Sequence, residues 1–205
     1  MSLVNAWTEP ARALVVVDTV CGRTDGARHE ATKLVLLAHA RTVIASRGYA
    51  EMLGILLQQY CLNGAADFDA VIASAPSSLQ AAYVVLADPR RGGTPGDTEV
   101  TFVGWSESRQ RFAVRVFRVG PEGLVDFPEQ PWCVAPGDGL TVDDVPTYPD
   151  LAQIQALARR QVAIGVEQWP SHPDSHSGPP IIGGRLLVAE MLPPGRITIE
   201  AHPLD

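Results

Sequence analysis

A chain of 205 residues, 46% hydrophobic and 19% charged, has ordinary globular composition and is long enough for one domain with a two-sheet core. Its net charge of −7 argues against a nucleic-acid footprint, and no apolar run reaches the roughly 18–20 residues that a membrane-spanning helix requires. The opening MSLVNAWTEP has neither the basic nor the apolar region of a secretory signal, so a cytoplasmic protein is expected.

Leu3-Val4-Asn5-Ala6-Trp7 and the β-branched run Ala13 to Val17 read as a β-hairpin, with a break at 8–12 and Asp18 ending the second strand. A polar loop through Gly22, Asp25 and Gly26 leads to a second strand pair, Lys33 to Leu37 and Thr42 to Ala45. Continuous apolar strands of this kind need cover on both faces. The period then changes. Met52, Leu53, Leu56, Leu57 and Tyr60 recur at helical spacing, with Gly64 as C-cap. A second helix is expected over 77–86, opened by Pro76-Ser77, followed by a Gly/Pro loop at 90–97. Strands resume at 100–105 and 111–117 around a turn at 106–110, the second alternating as a half-buried strand does. A short strand at 131–135, a helix from 150 to about 169, a loop to 180 and strands at 185–191 and 196–200 complete the chain. Strands, helices, strands, a helix and strands in that order describe an α+β protein, and residues 1–205 read as one domain.

Several side chains invite chemistry and are assigned bland roles. Cys21, Cys61 and Cys133 are too widely spaced for a disulfide framework or a zinc motif. Cys61 lies on an apolar helical face and reads as core, and Cys21 as an exposed loop thiol. His172, Asp174 and His176 have a spacing that could hold a metal, but such a loop is more often solvated surface. No metal or cofactor is expected. Arg109, Arg111, Arg115 and Arg118 suggest one solvated basic face, and Trp105 and Trp132 read as core or interface anchors. Lys33 is the only lysine beside fifteen arginines.

The spacing of a few residues resembles the proteasome β-subunit and its bacterial relatives, the proteasome-like N-terminal-nucleophile hydrolases. Val15-Val16-Val17-Asp18-Thr19 has the form of the family's second strand, and sixteen residues before Asp18 stands Ser2. Lys33-Leu34-Val35 resembles the opening of its third strand, and Ala45 to Glu51 its glycine turn into the first helix. Asp174-Ser175-His176-Ser177-Gly178 resembles its D-x-x-S-G element, although Ile182-Gly183-Gly184 fits the same glycine turn equally well. The resemblance implies a four-layer αββα sandwich, two stacked antiparallel sheets flanked by helices, working as a bacterial homo-oligomer. It implies a site of Ser2, Asp18 and Lys33, with Arg47 at the position whose amide stabilises the oxyanion, and with Asp174 and Ser177. The nucleophile must be the first residue, because its own α-amino group then serves as the base. Arg47 stands where the family has glycine, and no serine matches the family's mid-chain S-G-S-G turn. Two readings follow: a non-catalytic proteasome-like subunit with an assembly or binding role, or an amide-bond hydrolase or protease whose peptide or amide substrate meets an exposed Ser2.

Overall fold

Val15, Val16 and Val17 are buried on both sides of their strand, as a continuous β-branched run requires, and this strand sits mid-sheet. The computed structural model describes residues 2–22, 28–49, 51–88, 90, 95–137, 139–168, 182–193 and 195–204. Strands β1 (Val4–Glu9) and β2 (Arg12–Asp18) form a hairpin in register Val4↔Val17 to Glu9↔Arg12, so the turn is only Pro10-Ala11. Next come β3 (Val20–Gly22) and β4 (Arg28–Glu30), then β5 (Leu34–Leu37) and β6 (Thr42–Arg47). Helices α1 (Glu51–Asn63) and α2 (Phe68–Leu86) follow, then β7 (Thr98–Ser106), β8 (Arg111–Gly120), β9 (Gly123–Asp126) and β10 (Trp132–Ala135). Helix α3 (Leu151–Gln168) leads to β11 (Arg185–Leu192) and β12 (Arg196–Pro203).

The strands form two five-stranded antiparallel sheets, ordered β10-β1-β2-β11-β12 and β5-β6-β7-β8-β9, and the small ribbon β3-β4. Alternation along each strand divides the apolar residues among three clusters. Val4, Ala6, Val15, Val17 and Ala189 of the first sheet meet Val43, Ala45, Val103 and Val114 of the second. The opposite face of the second sheet, through Ile44, Phe102 and Phe117, packs on Met52, Leu56 and Tyr60 of α1 and Phe68 and Leu79 of α2. Trp7, Leu14, Val16 and Leu186 pack on Ile154, Leu157 and Ala158 of α3. The result is an α+β sandwich of antiparallel sheets with helices packed on it.

Several expectations need correction. Helix α2 starts at Phe68, nine residues before the expected start, and carries Pro76 in its interior. Asp67 caps it by accepting the Ala70 N–H at 2.8 Å. The stripe Phe68, Val71, Ala75, Leu79 and Ala82 is wholly buried, enough to outweigh the roughly 3 kcal/mol of an internal proline. The expected polar loop through Gly22 begins and ends in the ribbon β3-β4, and Cys21 on it is half-buried rather than an exposed loop thiol. Cys61 is exposed, because Tyr60 rather than its neighbour faces the core. Strand β8 is covered on both faces: Phe112 and Val114 point between the sheets and Ala113 and Phe117 toward the helices. Its arginines make no single solvated face either. Arg111 and Arg109 reach Glu129, Arg115 reaches Asp126, and Arg118, on the opposite face from Arg115, lies 3.8 Å from Asp97. Trp105 and Trp132 are half-buried at the rims of their clusters.

Candidate functional site

The centre of the site is a buried charge. Strand β2 carries Asp18 to the end of the first sheet, and the chain returns through the β3-β4 ribbon to place Lys33 just before β5 in the second. Asp18 is 0% exposed and Lys33 3%. Lys33 Nζ donates to both carboxylate oxygens of Asp18, each at 2.8 Å. Two backbone donors complete the carboxylate's shell: the Leu3 N–H reaches Oδ1 at 2.8 Å and the Gly183 N–H reaches Oδ2 at 3.2 Å. A charge taken from water is tolerable only when paired and hydrogen-bonded in this way. Burial pushes the Asp18 carboxyl above its ordinary value, while the Lys33 charge and the two amides pull it down. Among the described residues Asp18 is the only hydrogen-bond partner of Lys33 Nζ, so one of the ammonium's three N–H donors is unspent.

The surroundings hold the pair in place. The Gly183-Gly184 turn lies against Thr19 and Val20: the Val20 N–H donates to Gly183 O at 3.3 Å, and the Arg185 N–H to Thr19 Oγ1 at 2.9 Å. Gly184 has φ +76°, and a Cβ there would stand 2.6 Å from Thr19 Oγ1, so both backbone conformation and space require glycine. The Ser46 N–H donates to Lys33 O at 3.0 Å, tying β6 to the same corner. Ser2 is half-buried and directly precedes Leu3, whose amide is fixed on Asp18. Arg47 ends β6, and its guanidinium lies 3.6 Å from Glu99 across the β6–β7 pair. Gly48 follows at φ +112°, turning the chain toward α1. Asp174 and Ser177, with His172 and His176, lie outside the described residues.

The structure therefore joins Asp18, Lys33 and the residue after Ser2, and it places the Gly183 turn, not foreseen as a ligand of Asp18, on the same carboxylate. The amide donors of Leu3 and Gly183 carry no side-chain signal that a sequence could display. Cys21, paired in register with His29, is near enough for the charges of Lys33 and Asp18 to act on its thiol, which burial pushes up. Among the described residues no group of three His, Cys, Asp or Glu side chains could hold a metal ion, and no helix is long and apolar enough to cross a membrane.

No protein-family model and no curated protein matches the sequence. Solved structures do resemble it. The Anbu (Gly-1) mutant from Hyphomicrobium sp. strain MC1 aligns over 100% of this chain and 88% of its own, with a TM-score of 0.63 at 14% identity. Anbu from the same strain aligns over 99% and 88%, with a TM-score of 0.61 at 14% identity. Anbu from Yersinia bercovieri, described as an ancestral beta-subunit, aligns over 100% and 84%, with a TM-score of 0.59 at 15% identity. At these identities the likeness is one of fold.

Proposed function

We propose that this chain is a single proteasome-like αββα domain of the N-terminal-nucleophile type, and that Ser2, once it is the first residue, attacks amide carbonyls. The observation that carries the reading is the buried Asp18–Lys33 pair fastened to the chain start through the Leu3 amide, with one ammonium N–H unspent among the described residues. In this mechanism the Ser2 α-amino group takes the hydroxyl proton as Oγ bonds to the carbonyl carbon. The leaving amine departs with that proton, and water then hydrolyses the ester. Lys33 lowers the hydroxyl's pKa by its charge, and Asp18 keeps that charge in position. Near Arg47 it is the backbone amide that would serve the oxyanion, the guanidinium lying toward Glu99 at 3.6 Å.

A non-catalytic role in assembly or binding is the second reading. It is favoured by Arg47 standing where the resemblance calls for glycine, and by apolar side chains left in water on the helical layer. Leu62 of α1 is 77% exposed and Val84 of α2 71%, and self-association in the cytoplasm would cover such side chains. The two readings separate on one preparation. Protein whose intact mass shows loss of Met1 is assayed on peptide amides, beside the Met1-bearing form and Lys33→Ala. Turnover confined to the Met1-free form and abolished by Lys33→Ala is expected. Silence of the folded Met1-free protein would leave the assembly role.

A further inference from the structure

Among the described residues strand β12 is the last strand of its sheet, bonded on one side to β11 and open on the other. An eight-residue open edge presents alternate N–H and C=O groups to any strand that arrives, and proteins usually blunt such an edge with like charges, proline or a bulge. Here Pro203 stands only at the end, and the register with β11 is unbroken from Leu192↔Arg196 to Arg185↔Pro203. The strand is largely in solvent: Arg196, Ile199, Glu200 and Ala201 are all exposed, Ile199 by 44%.

The order of its side chains reads as its own complement. Arg196-Ile197-Thr198-Ile199-Glu200 laid antiparallel on a second copy of itself, centred on Thr198, sets Arg196 opposite Glu200 twice, Ile197 opposite Ile199 twice, and Thr198 opposite Thr198. Opposite charges and β-branched residues directly across a pair both stabilise it, whereas like charges there repel. Arg196 has no ion-pair partner among the described residues, and the Glu200 side chain is 70% exposed beside His202. The charges that would repel a random strand therefore select a copy of this one. We propose that β12 is the contact of a two-fold dimer, in which the two β10-β1-β2-β11-β12 sheets join edge to edge into one ten-stranded sheet. The interface is isologous, as a closed dimer requires. It involves neither Leu62 nor Val84 and does not depend on the catalytic reading.

Sedimentation velocity of the full chain over a concentration series tests it. Arg196→Glu sets Glu against Glu at both sites and Glu200→Arg sets Arg against Arg, and each should weaken dimerisation about tenfold or more. Two combinations should restore it: the double variant Arg196→Glu/Glu200→Arg, and an equimolar mixture of the two single variants, which can pair only with each other. Thr198→Cys in a Cys61→Ser background should be oxidised by added diamide to a covalent dimer, the two thiol electrons passing to the diamide, since facing residues of an antiparallel pair lie within disulfide reach. Wild type that stays monomeric would overturn the proposal. So would association insensitive to these reversals but abolished by Leu62→Glu, or a mixture that fails to re-pair although each variant shows wild-type circular dichroism.

Discussion

Replacing Lys33 by methionine keeps an unbranched chain of similar reach and deletes the charge. Asp18, 0% exposed, would then be left with only the Leu3 and Gly183 amides as donors. Removing one partner of a buried ion pair costs about 3–5 kcal/mol, because the surviving charge has lost its compensation. The loss should depend on pH, with a sign that the structure fixes. Burial already raises the Asp18 carboxyl above its ordinary value, and Lys33 is the largest influence opposing it. Without Lys33 the folded-state value rises further, while the unfolded one stays at about 3.9. A group whose folded pKa is raised contributes stability that is fully present below the unfolded value and is lost as pH climbs through the folded one. Each pH unit in that window costs about 1.4 kcal/mol. Urea unfolding followed by far-ultraviolet circular dichroism should therefore show Lys33→Met weakened by about 3–5 kcal/mol near pH 8. Near pH 4 the deficit should shrink to the roughly 1 kcal/mol of a lost hydrogen bond. Asp18→Asn added to Lys33→Met should recover part of the loss near pH 8. A deficit under about 1 kcal/mol near pH 8, or one that does not change with pH, would refute the reasoning.

Asn5 and Gln161 bond each other through both amide groups, at 2.8 and 3.0 Å, while Asn5 also accepts the Ala135 N–H and Gln161 donates to Pro136 O. Asn5→Leu strands those partners and should cost about 1–3 kcal/mol per unsatisfied group, and Asn5→Leu/Gln161→Leu should cost less than the two single changes together, as read by urea midpoints. Gly104→Ala would put a Cβ 2.3 Å from Phe68 Cδ2 and 3.0 Å from Arg41 O, so a loss of about 1–3 kcal/mol is expected in the same assay. In thiol labelling near pH 8, exposed Cys61 should react first. Cys133, pushed up to about 12 by burial, should stay silent until the protein unfolds.

The strands at 13–17 and 33–37 were legible because continuous apolar runs announce cover on both faces, and Asp18 and Lys33 because each stands where such a run ends or begins, whereas the alternation at 111–117 gave the strand but not its second covered face. Helix α2 was half-read, since Pro76 looks like a boundary when only neighbours in sequence are weighed. The buried spacing from Phe68 to Ala82 and the Asp67 cap were the better signal. Cys61 misled because one helical step separates it from the buried Tyr60, and α1 is apolar nearly all round. The Asn5–Gln161 pair was beyond reach. Its members are 156 residues apart, and each amide is unremarkable until the other is placed against it. The donors of Leu3 and Gly183 are main-chain groups and so belong to the fold, not to residue type.

Gly183 lies 165 residues after the aspartate it serves, and β2 acquires its neighbour β11 only through residues 186–191. At translation rates of about 5–20 residues per second, β2 is made roughly 8–33 s before that neighbour exists. Through that interval the edge bearing Val15, Val16 and Val17 has no strand beside it, and Asp18 lacks its second amide. A nascent chain of this protein should thus expose that edge until its final tenth is synthesised, and a premature stop before β11 should yield insoluble product rather than a smaller folded domain.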